Sequence, residues 1–116
     1  HAVSIASRVK FLKSNLESVL LQKITKLSEE SLKVFEDSIA ALSKRDYVLA
    51  DSVASNACRI AEKEQEFTDS LEESKKYTSV IKFVLEDIRR TAEYSSDIAE
   101  AVINETVQDV ISENGH

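Results

Sequence analysis

Charged side chains recur at helical spacing within residues 86–102, EDIRRTAEYSSDIAEAV. On a helix that turns 100° per residue, several of them fall on one side, opposite the apolar positions. Carboxylates four residues apart on such a helix can share a divalent cation such as Mg²⁺ or Ca²⁺, and the same surface can bind a basic partner. We call this side the acidic strip, and it consists of Glu86, Arg90, Glu93, Asp97 and Glu100.

The acidic strip has three interpretations: a metal site, a partner surface, or a solvated helix face. Glu86 stands four residues before Arg90, and Arg89 stands four before Glu93, so both bases have an acid within reach. Exposed pairs of this kind contribute only about 0.3–0.5 kcal/mol each. Asp97 and Glu100 have no such base, and like charges at this spacing cost stability unless a cation or partner relieves them. All three interpretations stay open on spacing alone.

Long helices must position this strip, because the chain contains almost no residues that interrupt regular structure. Its 116 residues include one glycine and no proline, and 31% are charged. No segment alternates with the period of two that is typical of a strand. We therefore predict an all-α fold. The absence of methionine and the first residue, His1, suggest a fragment of a longer protein.

Three amphipathic segments are predicted, with helices at about 4–43, 46–71 and 75–112. Asp46 follows the polar residues SKR and is placed to cap the second helix. The second turn has no glycine and is placed near 71–75. Three amphipathic helices with short turns must pack antiparallel, so residues 1–116 are predicted to form one three-helix bundle.

Apolar residues at three- and four-residue steps define the predicted buried stripe of each helix. On the first helix, Val34 and Leu21 lie off the stripe, and on the second Glu64 lies within it but is expected to reach solvent. The stripe of the first helix is Ile5, Val9, Leu12, Leu16, Val19, Leu20, Ile24, Leu27, Leu32, Phe35, Ile39 and Leu42. That of the second is Ala50, Val53, Ala54, Ala57, Ile60, Ala61, Phe67 and Leu71. That of the third is Tyr77, Val80, Ile81, Val84, Ile88, Ala92, Ser95, Ile98, Ala99, Val102 and Val110.

The first stripe runs for roughly 40 residues, or about 60 Å of helix, which is more than one three-helix layer covers. An uncovered apolar face of this kind marks a contact surface. We therefore expect the chain to pair with a copy of itself or with a second bundle.

Charge and composition exclude several classes of function. Residues 1–45 carry eight basic and five acidic side chains, whereas residues 46–116 carry seven and sixteen, which gives the net charge of −6. This balance argues against a nucleic-acid ligand. No apolar run is long enough for membrane insertion, and the lone Cys58 favours a reducing, cytoplasmic setting. The only histidines are terminal, and no nucleophile–base pair or phosphate-binding glycine loop occurs, so we predict no enzyme activity.

The segment that carries the acidic strip also contains a recognisable motif. Residues 87–100, DIRRTAEYSSDIAE, resemble the PhoU-family signature DLERIGDHAVNIAE, and they match it at five positions: Asp87, Arg90, Ile98, Ala99 and Glu100. Residues 48–67 resemble the second-helix segment of that family, with Ile60 at its isoleucine, and residues 32–46 resemble the end of its first helix. The resemblance covers about one three-helix family unit.

The resemblance implies a non-catalytic regulator of phosphate uptake that restrains a phosphate transporter and its sensor through protein contacts. Many members of the family hold iron or zinc clusters through acidic pairs on the outer surface of the bundle. This chain departs from that pattern, because Arg89, Ala57 and Ala61 occupy positions where the family has acids.

We therefore predict a regulatory PhoU-like domain that needs no cofactor. Glu93 and Asp97 could still hold a divalent cation weakly. Two alternatives stay open, a metal-binding helical sensor that uses these carboxylates and a purely structural oligomerisation domain.

Overall fold

Three long α-helices follow one another in the chain. The computed structural model describes the backbone of residues 2–75 and 78–114 and the side chains of residues 18–75 and 78–105. Helix α1 spans Ala2–Lys44, α2 spans Tyr47–Ser74 and α3 spans Ser79–Asn114, and no strand occurs in the described backbone. Each helix packs against both of the others. The predicted all-α three-helix bundle is confirmed.

The first turn forms where local chemistry predicts it. The amide of Asp46 donates to the Ala41 carbonyl over 2.9 Å, and that of Arg45 donates to the Leu42 carbonyl over 3.4 Å. These two hydrogen bonds and the left-handed Arg45, with a φ of 50°, close α1 in a Schellman motif. The Asp46 carboxylate then accepts from the Leu49 amide over 3.0 Å and caps α2. The chain reverses within two residues, which places α1 and α2 side by side.

The second turn lies later than the predicted residues 71–75. Helix α2 continues to Ser74 and ends at Lys75, which adopts the left-handed conformation with a φ of 58°. The Thr78 hydroxyl accepts from the Ile81 amide over 3.3 Å, so Thr78 caps the third helix. A lysine occupies the left-handed position that glycine usually takes, and this explains why the sequence contains no clear signal for this turn.

The core contains one row of buried residues from each helix. On α2 and α3 most of the predicted stripe is buried, and Leu85 joins it, whereas Val80 is exposed. Tyr77 and Val110 lie outside the residues whose side chains are described, as do the predicted stripe residues of α1 before residue 18. The buried residues of α2 are Ala50, Val53, Ala57, Ile60, Glu64 and Leu71. Those of α3, among the described side chains, are Leu85, Ile88, Ala92, Ser95, Ala99 and Val102.

The buried row of α1 differs from the predicted stripe in its second half. The buried residues are Ile24, Leu27, Ser31, Val34, Ser38 and Ala41. In this half the prediction was wrong for Val34, which is buried, and for Leu32, Ile39 and Leu42, which are exposed. In the first half it was wrong for Val19, which is exposed. The Ser31 and Ser38 hydroxyls donate to carbonyls of their own helix over 2.7 and 2.6 Å, so these small side chains are buried with their donors satisfied. Small residues let α1 lie close to its neighbours.

Glu64 is buried in the core and does not reach solvent, which corrects the prediction from sequence. Only 2% of its surface is exposed. Its Oε1 accepts a hydrogen bond from the Thr68 hydroxyl over 3.0 Å, while its Oε2 is buried with no partner among the described residues. Glu64 follows Ile60 by one helical turn and precedes Leu71 by two, so the geometry of α2 directs it at the core.

Candidate functional site

The acidic strip lies on the side of α3 that faces away from the core. Arg90, Glu93, Asp97 and Glu100 are exposed, and Glu86 is partly buried. The buried residues of α3 follow a row on the other side of the helix, as the 3.6-residue period requires. The structure therefore brings the five residues of the strip onto one accessible surface.

The charged side chains of the acidic strip make only weak interactions with the rest of the bundle. Arg89 Nε lies 3.9 Å from Glu93 Oε1, which is an ion pair but too long for a hydrogen bond. Both side chains are exposed, so water screens this pair and its contribution to stability is small. The strip therefore contributes little to folding.

A second surface lies on α1, where an uncovered apolar face was predicted, but most of its residues were assigned to the buried stripe. Its exposed apolar residues, with the fraction of surface that each exposes, are Leu21 (56%), Leu32 (56%), Ile39 (42%) and Leu42 (44%). Phe35, partly buried, lies among them. We call these five residues the outer row. At 100° per residue, the outer row is turned roughly 90° around α1 from the buried row. Helix α1 thus has two adjacent apolar faces, and the bundle covers only one.

The positions of the larger apolar residues on α1 explain why the predicted stripe mixes the two rows. Between residues 31 and 42 the larger apolar side chains belong to the outer row, and the buried row contains Ser31, Ser38 and Ala41. A stripe drawn through the largest apolar residues therefore passes from the buried row onto the outer row. The continuation of the buried period through Ser31, Val34, Ser38 and Ala41 was the available signal.

Cys58 is exposed on α2. Its Sγ lies 3.8 Å from Glu62 Oε1. A neighbouring carboxylate does not stabilise a thiolate, and reactive cysteines lie beside positive charge.

Comparison with known families agrees with the fold and the motif on α3. The sequence model of the PhoU domain family matches residues 24–102, which is more than half of the chain. The chain belongs to the PhoU domain family. Searches of curated proteins and of solved structures find no match. The matched region runs from Ile24 to Val102, which are the first and last buried core residues among the described side chains. That the whole of residues 1–116 forms one domain stays a prediction.

Membership of the PhoU family indicates a regulatory role in phosphate uptake, in a family that is generally non-catalytic. None of the three helices, over its described residues, has a stretch that is long and apolar enough to cross a membrane.

The residues of this chain do not fit the metal clusters that the family resemblance implies. Ala57 is buried, Ala61 is partly buried, and neither has a donor atom, while Arg89 brings a positive charge to a third position. Within the described side chains, no group of three histidine, cysteine, aspartate or glutamate residues is arranged to hold an ion. Transition metals need several converging ligands, which this surface does not supply.

We expect protein that is purified without chelator to contain no stoichiometric iron or zinc. Glu93 and Asp97 offer two exposed carboxylates, which suit at most a weak and hydrated Mg²⁺ or Ca²⁺ site. Elemental analysis of the wild type and of a Glu93→Gln, Asp97→Asn double variant tests this. Stoichiometric metal in the wild type and its loss in the variant would show that the acidic strip is a metal site.

Proposed function

We propose that this PhoU domain regulates phosphate uptake in the cytoplasm through contacts between helical surfaces, without catalysis. The observation that supports the proposal most directly is the outer row of α1. An apolar surface of this length on a domain whose core is already closed is typical of a protein contact. The role in phosphate uptake is inferred from the family, and the contact with a partner protein is inferred from the outer row.

The outer row suits a partner that is itself helical. Its residues extend from Leu21 to Leu42, about 32 Å along α1. From Leu32 to Leu42 they recur at three- and four-residue steps, and Leu21 lies three turns before Leu32. This is the pattern of a helix that packs against a second helix. We propose a second three-helix bundle as the occupant, either another copy of this chain or a related PhoU unit. The phosphate transporter or its sensor then binds elsewhere, for which the acidic strip is the candidate surface.

Binding without catalysis agrees with the side chains that the bundle exposes. A catalytic site needs a nucleophile or base and a group that positions it. Among the described side chains, Cys58 has only a carboxylate beside it, and the acidic strip has arginine as its only partner type. The carboxylates of the acidic strip can attract a basic surface, and this supports a binding role.

Replacing Leu32 and Ile39 by glutamine is expected to weaken association at least tenfold. Both side chains are exposed in the single chain, so the folded bundle retains its core. The matched control makes the same replacement by glutamine at Val48 and Phe83, two other exposed apolar residues outside α1. Sedimentation velocity over a range of concentrations measures the effect. We expect wild type and control to associate alike and the outer-row variant to remain monomeric. A wild type that is monomeric at every concentration contradicts the second copy as occupant.

The physiological part of the proposal is tested in the source cell. Deleting the coding segment of this domain is expected to change the rate of uptake of radiolabelled phosphate, and the intact domain restores it. The Leu32→Gln, Ile39→Gln variant should fail to restore regulation. If deletion leaves phosphate uptake and its response to starvation unchanged, the regulatory role is wrong. A purely structural oligomerisation domain is then the better account.

A further inference from the structure

A groove between α1 and α2 lies outside both surfaces described above. Its volume is about 450 Å³. Leu27, which is buried, and Phe67, which is partly buried, form its apolar floor. Lys23 and Lys26 reach it from α1, and Lys63 from α2, and all three are exposed. The groove therefore combines an apolar floor with a cationic rim.

The lining of this groove has a net positive charge of one, because it holds three lysines and two glutamates. Within the described residues, Lys23, Lys26 and Lys63 make no ion pair. Two acidic residues also line the groove, and one of them, Glu30, has its Oε2 3.4 Å from Arg59 Nη1. Glu66 remains as the second acid beside three lysines.

This excess of positive charge is unusual for the chain, whose net charge is −6. The three ammonium groups repel one another, and Glu66 offsets only part of this repulsion because Glu30 lies beside Arg59. Each lysine ammonium provides three donors that rotate to meet an anion from different directions. An anion in the groove can therefore accept hydrogen bonds from up to three lysines on two helices.

The floor and the size of the groove define the ligand further. The volume of the groove lies within the about 300–1,000 Å³ that is typical of sites for small molecules. A ring that lies against Phe67 removes apolar surface from water, while Ser70 at the edge of the groove offers a hydroxyl. A ligand with a planar body and a chain of phosphates satisfies floor and rim together.

We propose that the groove between α1 and α2 binds a small organic polyphosphate. Its phosphates contact Lys23, Lys26 and Lys63, and its ring lies over Leu27 and Phe67. This site is separate from the outer row and from the acidic strip, so ligand binding does not depend on the proposed partner contacts. It gives the domain a way to respond to a phosphorylated metabolite.

The experiment is calorimetric titration of ATP into the protein. Saturable binding with one ATP per chain is expected for the wild type. The Lys23→Gln, Lys26→Gln, Lys63→Gln variant should bind ATP at least tenfold more weakly. The matched control is Lys33→Gln, Lys44→Gln, Lys82→Gln, which removes the same charge from other exposed lysines and should bind within twofold of the wild type. Far-UV circular dichroism verifies that both variants are helical.

Two further probes distinguish the phosphate chain from the ring. Pyrophosphate should bind more weakly than ATP because it leaves the apolar floor uncovered, and the Phe67→Leu variant should weaken ATP binding while leaving pyrophosphate binding unchanged. Equal losses of ATP affinity in the two triple-lysine variants would show attraction by net charge alone and overturn the site. Absence of saturable ATP binding to the wild type would also overturn it.

Discussion

Replacing Ile60 with alanine is expected to lower the free energy of unfolding by about 2–5 kcal/mol. Ile60 has no exposed surface and is among the largest fully buried side chains of the described core. Its position in the middle of α2 places it between α1 and α3, so neither neighbour can move in without losing its own contacts. The change removes apolar burial and leaves a cavity, and both effects destabilise the fold.

The expected loss is large compared with the total stability of a domain of this size, about 5–15 kcal/mol. Urea denaturation followed by circular dichroism measures it as a lower midpoint. The matched control is Val48→Ala on the same helix, because 75% of the surface of Val48 is exposed. For this variant we expect the free energy of unfolding to change by no more than about 0.5 kcal/mol. Equal midpoints for the two variants would show that Ile60 is not in the core.

The architecture was predictable from the sequence because its determinants are local. A 3.6-residue apolar period defines three helices, and the carboxylate of Asp46 caps α2 where the polar break occurs. The second turn was misplaced because Lys75 adopts a left-handed conformation that its residue type does not announce. A turn without glycine or proline gives no compositional signal.

The two faces of α1 were not separated by their hydrophobicity, because apolar character alone does not say which row the bundle buries. Leu32 and Val34 are both apolar, and the structure buries Val34. The choice depends on how closely α1 approaches its neighbours, and Ser31, Ser38 and Ala41 permit that approach. Such complementarity between helices is a property of the assembled bundle.

The two candidate sites also differ in how far the sequence predicts them. The side of α3 that carries the acidic strip follows from periodicity within one helix. The groove of Lys23, Lys26 and Lys63 joins residues from two helices, and its existence depends on the register between α1 and α2. That register is fixed by the turn at Arg45 and Asp46 and by packing along the whole interface, so the sequence pattern of either helix alone does not contain it.

Replacing Glu64 with leucine is expected to raise the free energy of unfolding by about 1–3 kcal/mol. The Oε2 atom of Glu64 is buried with no partner among the described residues, and a buried polar atom without a hydrogen bond costs free energy. Leucine suits this core position, one turn after Ile60. The Thr68 hydroxyl loses its acceptor but can donate to the carbonyl four residues earlier, as Thr25 and Thr91 do.

Two matched variants identify the origin of this effect. Glu66→Leu makes the same substitution at an exposed position of α2 and should leave the urea midpoint nearly unchanged. Glu64→Gln retains the shape and the oxygen that accepts from Thr68, but it leaves a polar atom buried, so its gain should be smaller than that of leucine. A lower midpoint for Glu64→Leu than for the wild type would show that the carboxylate has a stabilising partner. A higher midpoint would show that the carboxylate is retained in the core at a cost to stability, which is a common sign of a functional group. In that case the Glu64→Leu protein should be assayed for regulation of phosphate uptake.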